Sequence, residues 1–225
     1  NSVFGNQASI LVGDFLFSRA FQLMVEDGSL QVLHILSDAS AIISQGEVMQ
    51  LATNHNLDTG FEEYEKVVKA KTAALFAAAC ETGPVIAGSD IDAATAMCNY
   101  GTNLGIAFQI ADDVLDYNSS SAKLGKKTGD DFREGKMTLP VIHALKKADD
   151  EERDFWQRTI GDLDQSPEDF ATAQNILQKH DCYKSGMELA GSYAEKAAND
   201  LGRAPDGELK DTLKELARFA VSRDC

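Results

Sequence analysis

The sequence is poor in the residues that signal secretion, disulfide scaffolds or membrane anchoring. Its 225 residues include only four cysteines, four prolines and one tryptophan. The cysteines show no C-x-x-C or other metal-ligand spacing, which predicts free thiols in a reducing compartment. The longest apolar run, 73–80, is too short to cross a bilayer, so no transmembrane span is predicted. Residues 1–7 carry neither charge nor an apolar core, and no signal peptide is predicted.

Positive charge is also scarce. The chain has 21 basic and 36 acidic side chains and a formal net charge of −15. Nucleic-acid-binding proteins neutralise phosphates with lysine and arginine, so this balance argues against nucleic acid as a partner. It equally disfavours binding to an anionic membrane surface. The hydrophobic content of 44% and the length predict one globular domain with a substantial core.

Apolar residues recur with helical spacing through almost the whole chain, which predicts an all-α bundle of nine or ten helices. Ser89 or Asp90 is expected to cap a long helix that reaches Leu115, and Gly83-Pro84 is expected to end the helix before it. Only 119–135 lacks helical periodicity, and a loop of that length is usually functional or disordered. The remaining predicted helices are 9–24, 30–52, 61–82, 139–147, 151–159, 168–178, 186–200 and 209–221.

The sharpest feature is a polar stripe on one face of the long helix. Residues three, four and seven positions apart share a helical face, and no lysine or arginine interrupts this one. An ordinary solvated face is the alternative, but such faces usually mix charges, and the rest of this helix is apolar. The pattern therefore favours a functional carboxylate cluster. The stripe consists of Gln109, Asp112, Asp113 and Asp116.

Carboxylates without histidine or cysteine suit a hard cation. Mg²⁺ is typically held by one or two carboxylates plus substrate phosphates. Helical spacing without a glycine turn excludes an EF-hand calcium loop. One stripe also places the acids side by side rather than across a scissile bond, unlike paired-carboxylate hydrolysis. We therefore predict a metal-bound phosphate group at this stripe.

A glycine-spaced basic loop follows the acids directly. Glycines at 125, 129 and 135 allow the backbone to approach an anion. A solvated flexible loop is the alternative, but in a chain of net charge −15 such a cluster favours a clamp for metal-bound phosphate. Its basic residues are Lys123, Lys126, Lys127, Arg133 and Lys136, with Asp130 and Asp131 among them.

Two weaker signals lie upstream. Lys71-Thr72 precedes an alanine-rich run. Taken alone it is most simply a surface pair, and it gains weight only because phosphate ligands are already implied. Glu47 and Gln50 share one face inside an apolar helix, which predicts either the lining of a cavity or an ordinary polar patch. The four histidines have no metal or triad spacing.

Taken together, these segments resemble the trans-prenyl diphosphate synthases. The stripe and the basic loop look like the second aspartate-rich region of that family, and 71–73 resembles its lysine-threonine motif. The resemblance spans essentially the whole chain and is closest to the long-chain bacterial synthases that make the octaprenyl or decaprenyl tail of ubiquinone. The matching segments are 13–16, 19–21, 46–50, 71–73, 108–116, 125–126, 129–131, 135–140 and 193–223.

The resemblance implies an isoprenoid-synthase-type antiparallel helix bundle around a deep central cavity. It implies condensation of isopentenyl diphosphate onto an allylic diphosphate, either farnesyl or geranylgeranyl diphosphate, with Mg²⁺ as cofactor. It further implies a homodimer in the cytoplasm, loosely associated with the membrane through its lipid product. A leaving diphosphate needs fixed positive charge, and an allylic cation needs a cavity without nucleophilic water.

The resemblance also assigns roles to individual residues. Mg²⁺ would be held by Asp112 and Asp116, with Asp113 close by or acting through water. Asp14, Phe17 and Phe21 are expected near the prenyl chain. The expected catalytic residues are Lys71, Thr72, Gln109 and Asp112. The expected substrate-binding residues are Lys71, Thr72, Phe108, Gln109, Lys126, Asp131 and Lys136.

One element of the family pattern is absent from the sequence. In the family, a first aspartate-rich motif followed by paired arginines precedes the equivalent of residues 1–6. We therefore interpret 1–225 as a single prenyl-synthase domain without its N-terminal helices and first metal motif. A non-catalytic subunit of a heteromeric synthase is one alternative. A class I terpene cyclase is another, although its Asn/Asp-x-x-Ser/Thr-x-x-x-Glu motif is missing. A helical interaction module would leave the acidic stripe unexplained.

Overall fold

The computed structural model describes residues 5–118 and 128–222, which form helices joined by short turns. No strand occurs within these ranges, and the predicted all-α class is confirmed. Lys69–Ala73 and Gln157–Gly161 are π-helical turns, and Leu201–Arg203 is a 3₁₀ turn. The described α-helices are α1 (Gly5–Asp27), α2 (Leu30–Thr53), α3 (Phe61–Val68), α4 (Ala74–Ile86), α5 (Ile91–Tyr117), α6 (Asp130–Arg133), α7 (Leu139–Leu145), α8 (Asp150–Trp156), α9 (Asp169–Lys179), α10 (Cys182–Asp200) and α11 (Glu208–Val221).

Helix α5 runs through the centre of the fold, with α4 and α10 packed along it. As predicted, Asp90 caps its N-terminus, and its carboxylate accepts a hydrogen bond of 2.8 Å from the backbone N–H of Ala93. A Cβ atom on Gly105 would lie only 2.6 Å from the Cα of Ala73. Glycine at this position therefore lets α5 touch the α3–α4 segment backbone to backbone.

Two groups of buried side chains surround α5. The larger joins its C-terminal half to α7, α8, α9 and α10, and includes the fully buried Ile110, Leu139 and Trp156. The smaller joins Tyr100 and Leu104 to α10 and α11. The described residues of α1 contribute to neither group.

The predicted helix over 61–82 is wrong in two respects. A π-helical turn divides it into α3 and α4, and α4 continues through Gly83-Pro84 to Ile86. A proline near the last turn removes only one helical hydrogen bond, so it does not stop the helix. The chain leaves the helix after Ile86 and turns at Gly88, whose φ is +68°, and the N–H of Ser89 donates to the carbonyl of Pro84.

The predicted irregular stretch 119–135 is only partly irregular. Residues 130–133 form the one-turn helix α6. This turn was missed because four residues are too few to show helical periodicity. The other part, 119–127, lies outside the described residues and includes Lys123, Lys126 and Lys127 of the predicted basic loop.

Helix α1 has the composition of a buried helix but lies on the surface. It is the one described helix that is long and apolar enough to cross a membrane. Core helices of soluble proteins and signal sequences also meet this criterion. No spanning segment was predicted from the sequence, and α1 contains the charged residues Asp14 and Arg19.

Candidate active site

Lys71 and Thr72 lie in the π-helical turn between α3 and α4. Such turns insert one extra residue into a helix and are frequent at functional sites. Helix α2 crosses this turn at Gly46, where a Cβ atom would lie 2.6 Å from the backbone nitrogen of Lys71. The crossing brings the Lys71 ammonium to 2.5 Å from Gln50 Oε1 and 3.1 Å from the Glu47 carboxylate. The polar patch predicted on α2 therefore faces the lysine-threonine pair.

The acids of the α5 stripe have different surroundings although they share one helical face. Asp112 is partly exposed and lines a cavity. Asp113 is only 3% exposed. Its Oδ2 accepts from the Tyr64 hydroxyl and its Oδ1 from the Gln109 side-chain amide, each at 2.7 Å. Asp116 is not a cavity-lining residue, and its carboxylate accepts from the backbone N–H of Asp131 at 3.0 Å.

The contact made by Asp116 fixes the segment that carries Lys136. The N–H of Gly129 donates to the Asp116 carbonyl at 2.8 Å, and α6 begins at the next residue. After α6 the chain turns back, so that the Lys136 ammonium lies 2.9 Å from Asp131 and 2.7 Å from Glu134. The C-terminal end of α5 therefore seats both members of the Asp131–Lys136 pair.

These elements enclose a cavity of about 250 Å³. Two ammonium groups, from Lys71 and Lys136, lie in the same cavity wall as the carboxylates of Asp112, Asp113 and Asp131. This mixture of charges suits a ligand that carries both anionic oxygens and a cation. The lining residues are Gln50, Thr53, Asn54, Tyr64, Val67, Val68, Lys71, Thr72, Gln109, Asp112, Asp113, Asp131, Lys136, Met137 and Thr138.

Burial and neighbouring negative charge raise the pKa values of two acids of the stripe. Burial, followed by the nearby Asp131 carboxylate, raises the pKa of Asp113 to about 8. The same two causes raise the pKa of Asp116. Burial acts to lower the pKa of Lys136, but hydrogen bonds to Glu134 and Asp131 outweigh it and raise that pKa above its usual range. Lys136 is therefore a fixed positive charge at the cavity.

The structure brings most of the predicted site residues to one place. Lys71, Thr72, Gln109, Asp112, Asp113, Asp131 and Lys136 all line the cavity. Phe108 does not, and packs instead against Phe76 with ring centroids 5.5 Å apart. Lys126 lies outside the described residues. Asp14, Phe17 and Phe21 lie on α1 and are not among the cavity-lining residues.

Tyr64 is a site residue that sequence reasoning missed. A tyrosine inside an apolar-periodic helix is most simply a core residue, and Tyr64 is indeed buried. Its hydroxyl nevertheless reaches Asp113, and a buried tyrosine hydroxyl usually has such a partner. The available signal was its place on the same predicted helix as Lys71, which does not by itself reveal the contact with α5.

Comparison with known proteins gives a consistent result. A family model described as Polyprenyl synthetase matches residues 1–177. The chain is 39% identical to Octaprenyl diphosphate synthase of Escherichia coli (strain K12), with 100% of this chain and 69% of that protein covered. It is 34% identical to Geranylgeranyl diphosphate synthase of Saccharolobus solfataricus, with 97% of this chain and 68% of that protein covered.

Solved structures agree with the sequence matches. A decaprenyl diphosphate synthase from Rhodobacter capsulatus is 46% identical with a TM-score of 0.91, over 98% of this chain and 68% of that one. A polyprenyl synthase from Caulobacter crescentus CB15, complexed with calcium and isoprenyl diphosphate, is 46% identical with a TM-score of 0.95, over 99% and 68%. With these matches and the predicted motifs assembled at one cavity, the chain belongs to the polyprenyl synthetase family and is a trans-prenyl diphosphate synthase, a prenyltransferase.

Proposed function

We propose that this prenyltransferase is a long-chain trans-polyprenyl diphosphate synthase. It would add isopentenyl diphosphate units to farnesyl or geranylgeranyl diphosphate and make an octaprenyl or decaprenyl product for the ubiquinone side chain. The octaprenyl and decaprenyl relatives support a long product. The observation that carries the chemistry is the single cavity lined by Lys71, Thr72, Gln109, Asp112 and Lys136.

The donors at this cavity fit Mg²⁺ as the cofactor. Within 5–118 and 128–222, no three side chains of the types Asp, Glu, His and Cys are grouped so that they could hold an ion by themselves. Mg²⁺ needs only one or two carboxylates, because phosphate oxygens and water complete its shell. We assign Asp112 as the carboxylate that would hold it, with Asp116 and Asp113 as its supports. When bound, Mg²⁺ supplies positive charge that stabilises the leaving diphosphate.

Side chains of the cavity wall would bind the diphosphate and stabilise the allylic cation. Lys71 and Lys136 would bind diphosphate oxygens, and their existing partners Gln50, Glu47 and Asp131 hold them in position beforehand. Thr72 and Gln109 are hydrogen-bonded to each other at 2.8 Å and would face the reacting carbon. Their polar atoms would stabilise the developing allylic cation without offering it a free water molecule.

A prenyl-transfer assay tests this proposal most directly. With Mg²⁺, farnesyl diphosphate and radiolabelled isopentenyl diphosphate, we expect product chromatography to show chains of eight to ten isoprene units. Shorter products would leave the family assignment intact and contradict the long-chain proposal. Asp112→Asn should lower turnover by at least about 100-fold. Its control is Asp92→Asn, at the opposite end of α5, which should keep wild-type turnover.

We also propose a cytoplasmic homodimer that associates loosely with membranes through its lipid product. The homodimer is what the family resemblance implies, and α1 supplies a fitting surface because Ile10, Leu11, Phe15 and Leu16 are all at least 60% exposed. Light scattering coupled to gel filtration should give twice the mass of one chain. Leu11→Ser combined with Phe15→Ser should shift it toward monomer. A wild-type monomer would contradict the dimer proposal.

A further inference from the structure

Three hydrogen bonds connect α3, α5 and the π-helical turn behind the cavity. The Tyr64 hydroxyl donates to Asp113 Oδ2 at 2.7 Å, and the Gln109 amide nitrogen donates to Asp113 Oδ1 at 2.7 Å. The Thr72 hydroxyl donates to Gln109 Oε1 at 2.8 Å. We call Tyr64, Asp113, Gln109 and Thr72 the buried relay. Tyr64 and Thr72 belong to the consecutive α3 and π-helical turn, Gln109 and Asp113 belong to α5, and all four meet at one wall of the cavity.

The relay determines which way the Gln109 amide points. Asp113 Oδ2 accepts from the Tyr64 hydroxyl and Oδ1 accepts from Gln109, so the amide nitrogen of Gln109 faces the Asp113 side chain. The amide oxygen is thereby turned toward Thr72. A flipped amide would present its oxygen to Asp113 and its nitrogen to the Thr72 hydroxyl, so both neighbours would have to exchange donor and acceptor roles in a buried environment where an unmet hydrogen bond is costly.

Tyr64 completes this arrangement from α3. Its ring is buried, and its pKa is raised well above 10.0 by burial and by Asp113, so the hydroxyl keeps its proton and remains a donor. Without that donor, Asp113 Oδ2 would be a buried acceptor with its hydrogen bond lost. The carboxylate could then rotate, and the amide of Gln109 would lose its fixed partner.

We propose that Tyr64 is a positioning residue for the prenyl-transfer reaction, acting through Asp113 to aim the side chains of Gln109 and Thr72 at the reacting centre. In this assignment Asp113 serves as the central acceptor of the buried relay rather than as a direct metal ligand. The inference rests on the proposed function for the roles of Gln109 and Thr72. The orientation of the relay itself is independent of any substrate.

The first test measures orientation without turnover. In ¹⁵N-labelled wild-type protein, the side-chain NH₂ signal of Gln109 can be assigned through its loss in Gln109→Glu. We expect one of its protons to be shifted and protected from solvent exchange, because it donates to a buried carboxylate. In Tyr64→Phe the signal should move or lose protection. An unprotected signal in the wild type, or an unchanged one in the variant, would overturn the proposal.

The second test measures turnover against a matched deletion. Tyr100 is also buried, and its hydroxyl donates to the Leu213 carbonyl at 2.8 Å, away from the cavity. Tyr64→Phe should lower kcat by about 10- to 100-fold with KM for isopentenyl diphosphate nearly unchanged. Tyr100→Phe should leave kcat at the wild-type value. Equal losses in the two variants would show a merely structural role and overturn the proposal.

The third test asks whether Tyr64 acts through Thr72. In a Thr72→Val background the relay has lost its last member, so adding Tyr64→Phe should lower kcat by less than about twofold more. Multiplying effects would mean that the two residues act independently and would contradict the relay. A wild-type protein that makes short products would contradict only the long-chain proposal, because the NMR experiment does not depend on product length.

Discussion

Helices α1 and α5 are similar in length and apolar content and opposite in environment. They have 23 and 27 residues, yet none of the residues of α1 is buried, whereas 13 of those of α5 are. Helix α5 carries Gly101 and Gly105 where the backbone of the α3–α4 segment crosses it, whereas α1 packs mainly against α2. The comparison teaches that apolar composition makes burial favourable, while the available neighbours determine whether it occurs.

The polar side chains of α5 and α1 also differ in their surroundings. The acids of α5 are drawn into hydrogen bonds with distant elements, as Asp113 shows with Tyr64. In α1 the charged side chains of Arg19 and Glu26 pair with each other at 3.2 Å on an exposed face. Exposed pairs of this kind contribute little to stability, whereas a buried acceptor without its donor is costly.

The largest expected effect comes from deleting core volume. Ile110 is fully buried and Leu11 is 60% exposed. Ile110→Ala should lower the free energy of unfolding by about 2–5 kcal/mol, because it leaves a cavity beside α5. In the monomer, Leu11→Ala should change it by less than about 0.5 kcal/mol, because Leu11 is exposed there. Urea denaturation followed by circular dichroism measures both at a protein concentration that keeps the chain monomeric. A loss in Leu11→Ala that appears only at higher concentration would support the α1 dimer surface, whereas a similar loss in the monomer would contradict the comparison.

An intermediate effect is expected from adding a methyl group at a helical glycine. Gly105→Ala would force its Cβ against Ala73 and should destabilise the fold by about 1–3 kcal/mol. Gly13 on α1 has no heavy atom within 4 Å of the equivalent position. Gly13→Ala should therefore stabilise the protein by about 0.5–1 kcal/mol through helix propensity. A higher melting temperature for Gly13→Ala together with a lower one for Gly105→Ala would support the comparison. Lower melting temperatures for both variants would contradict it.

The smallest effect, which depends on pH, is expected at an ion pair. Asp169 accepts two hydrogen bonds from Arg158, at 2.7 and 2.8 Å, and the pair holds the pKa of Asp169 well below its usual value. The stabilisation by this pair is therefore fully present above the unfolded pKa of about 3.9, and it is lost progressively as pH falls from there toward the lower pKa of the folded state. Asp169→Asn should be less stable than wild type at pH 7, and the difference in urea midpoint should shrink toward pH 3.

The matched control for this titration is Glu26→Gln on α1. Its partner Arg19 is exposed, and we expect no measurable change in urea midpoint at either pH. A difference between wild type and Asp169→Asn that stays constant from pH 7 to pH 3 would show that the ion pair is not the source of the stabilisation.

Much of the fold was predictable because helix signals are local. The cap at Asp90 and the apolar periodicity placed α5 within a few residues of its bounds. The π-helical turn at Lys69–Ala73 was not predictable in this way. Its sequence is compatible with a continuous α-helix, and the turn lies where Gly46 of α2 and Gly105 of α5 both press against it. The apolar periodicity of a helix does not show which other helices contact it or where.

Part of the candidate site was likewise predictable from the sequence, and part was not. Helical spacing was sufficient to place Gln109 and the acids of α5 on one face, and the family motifs pointed to Lys71, Thr72 and Lys136. The separate surroundings of Asp112, Asp113 and Asp116 could not be predicted. The partners that distinguish them come from α3 and α6, which the stripe itself does not reveal.

The sequence alone determined the helical class, the acidic stripe and the family, because each follows from local patterns of residues a few positions apart. Only the tertiary structure decided that Asp113 is buried under Tyr64, 49 positions away, and that Gln109 meets Thr72, 37 positions away. It also decided that α5 is enclosed and α1 is not. Burial and hydrogen-bond partners depend on which surfaces meet, and a helix carries its pattern without specifying the neighbour that will cover it.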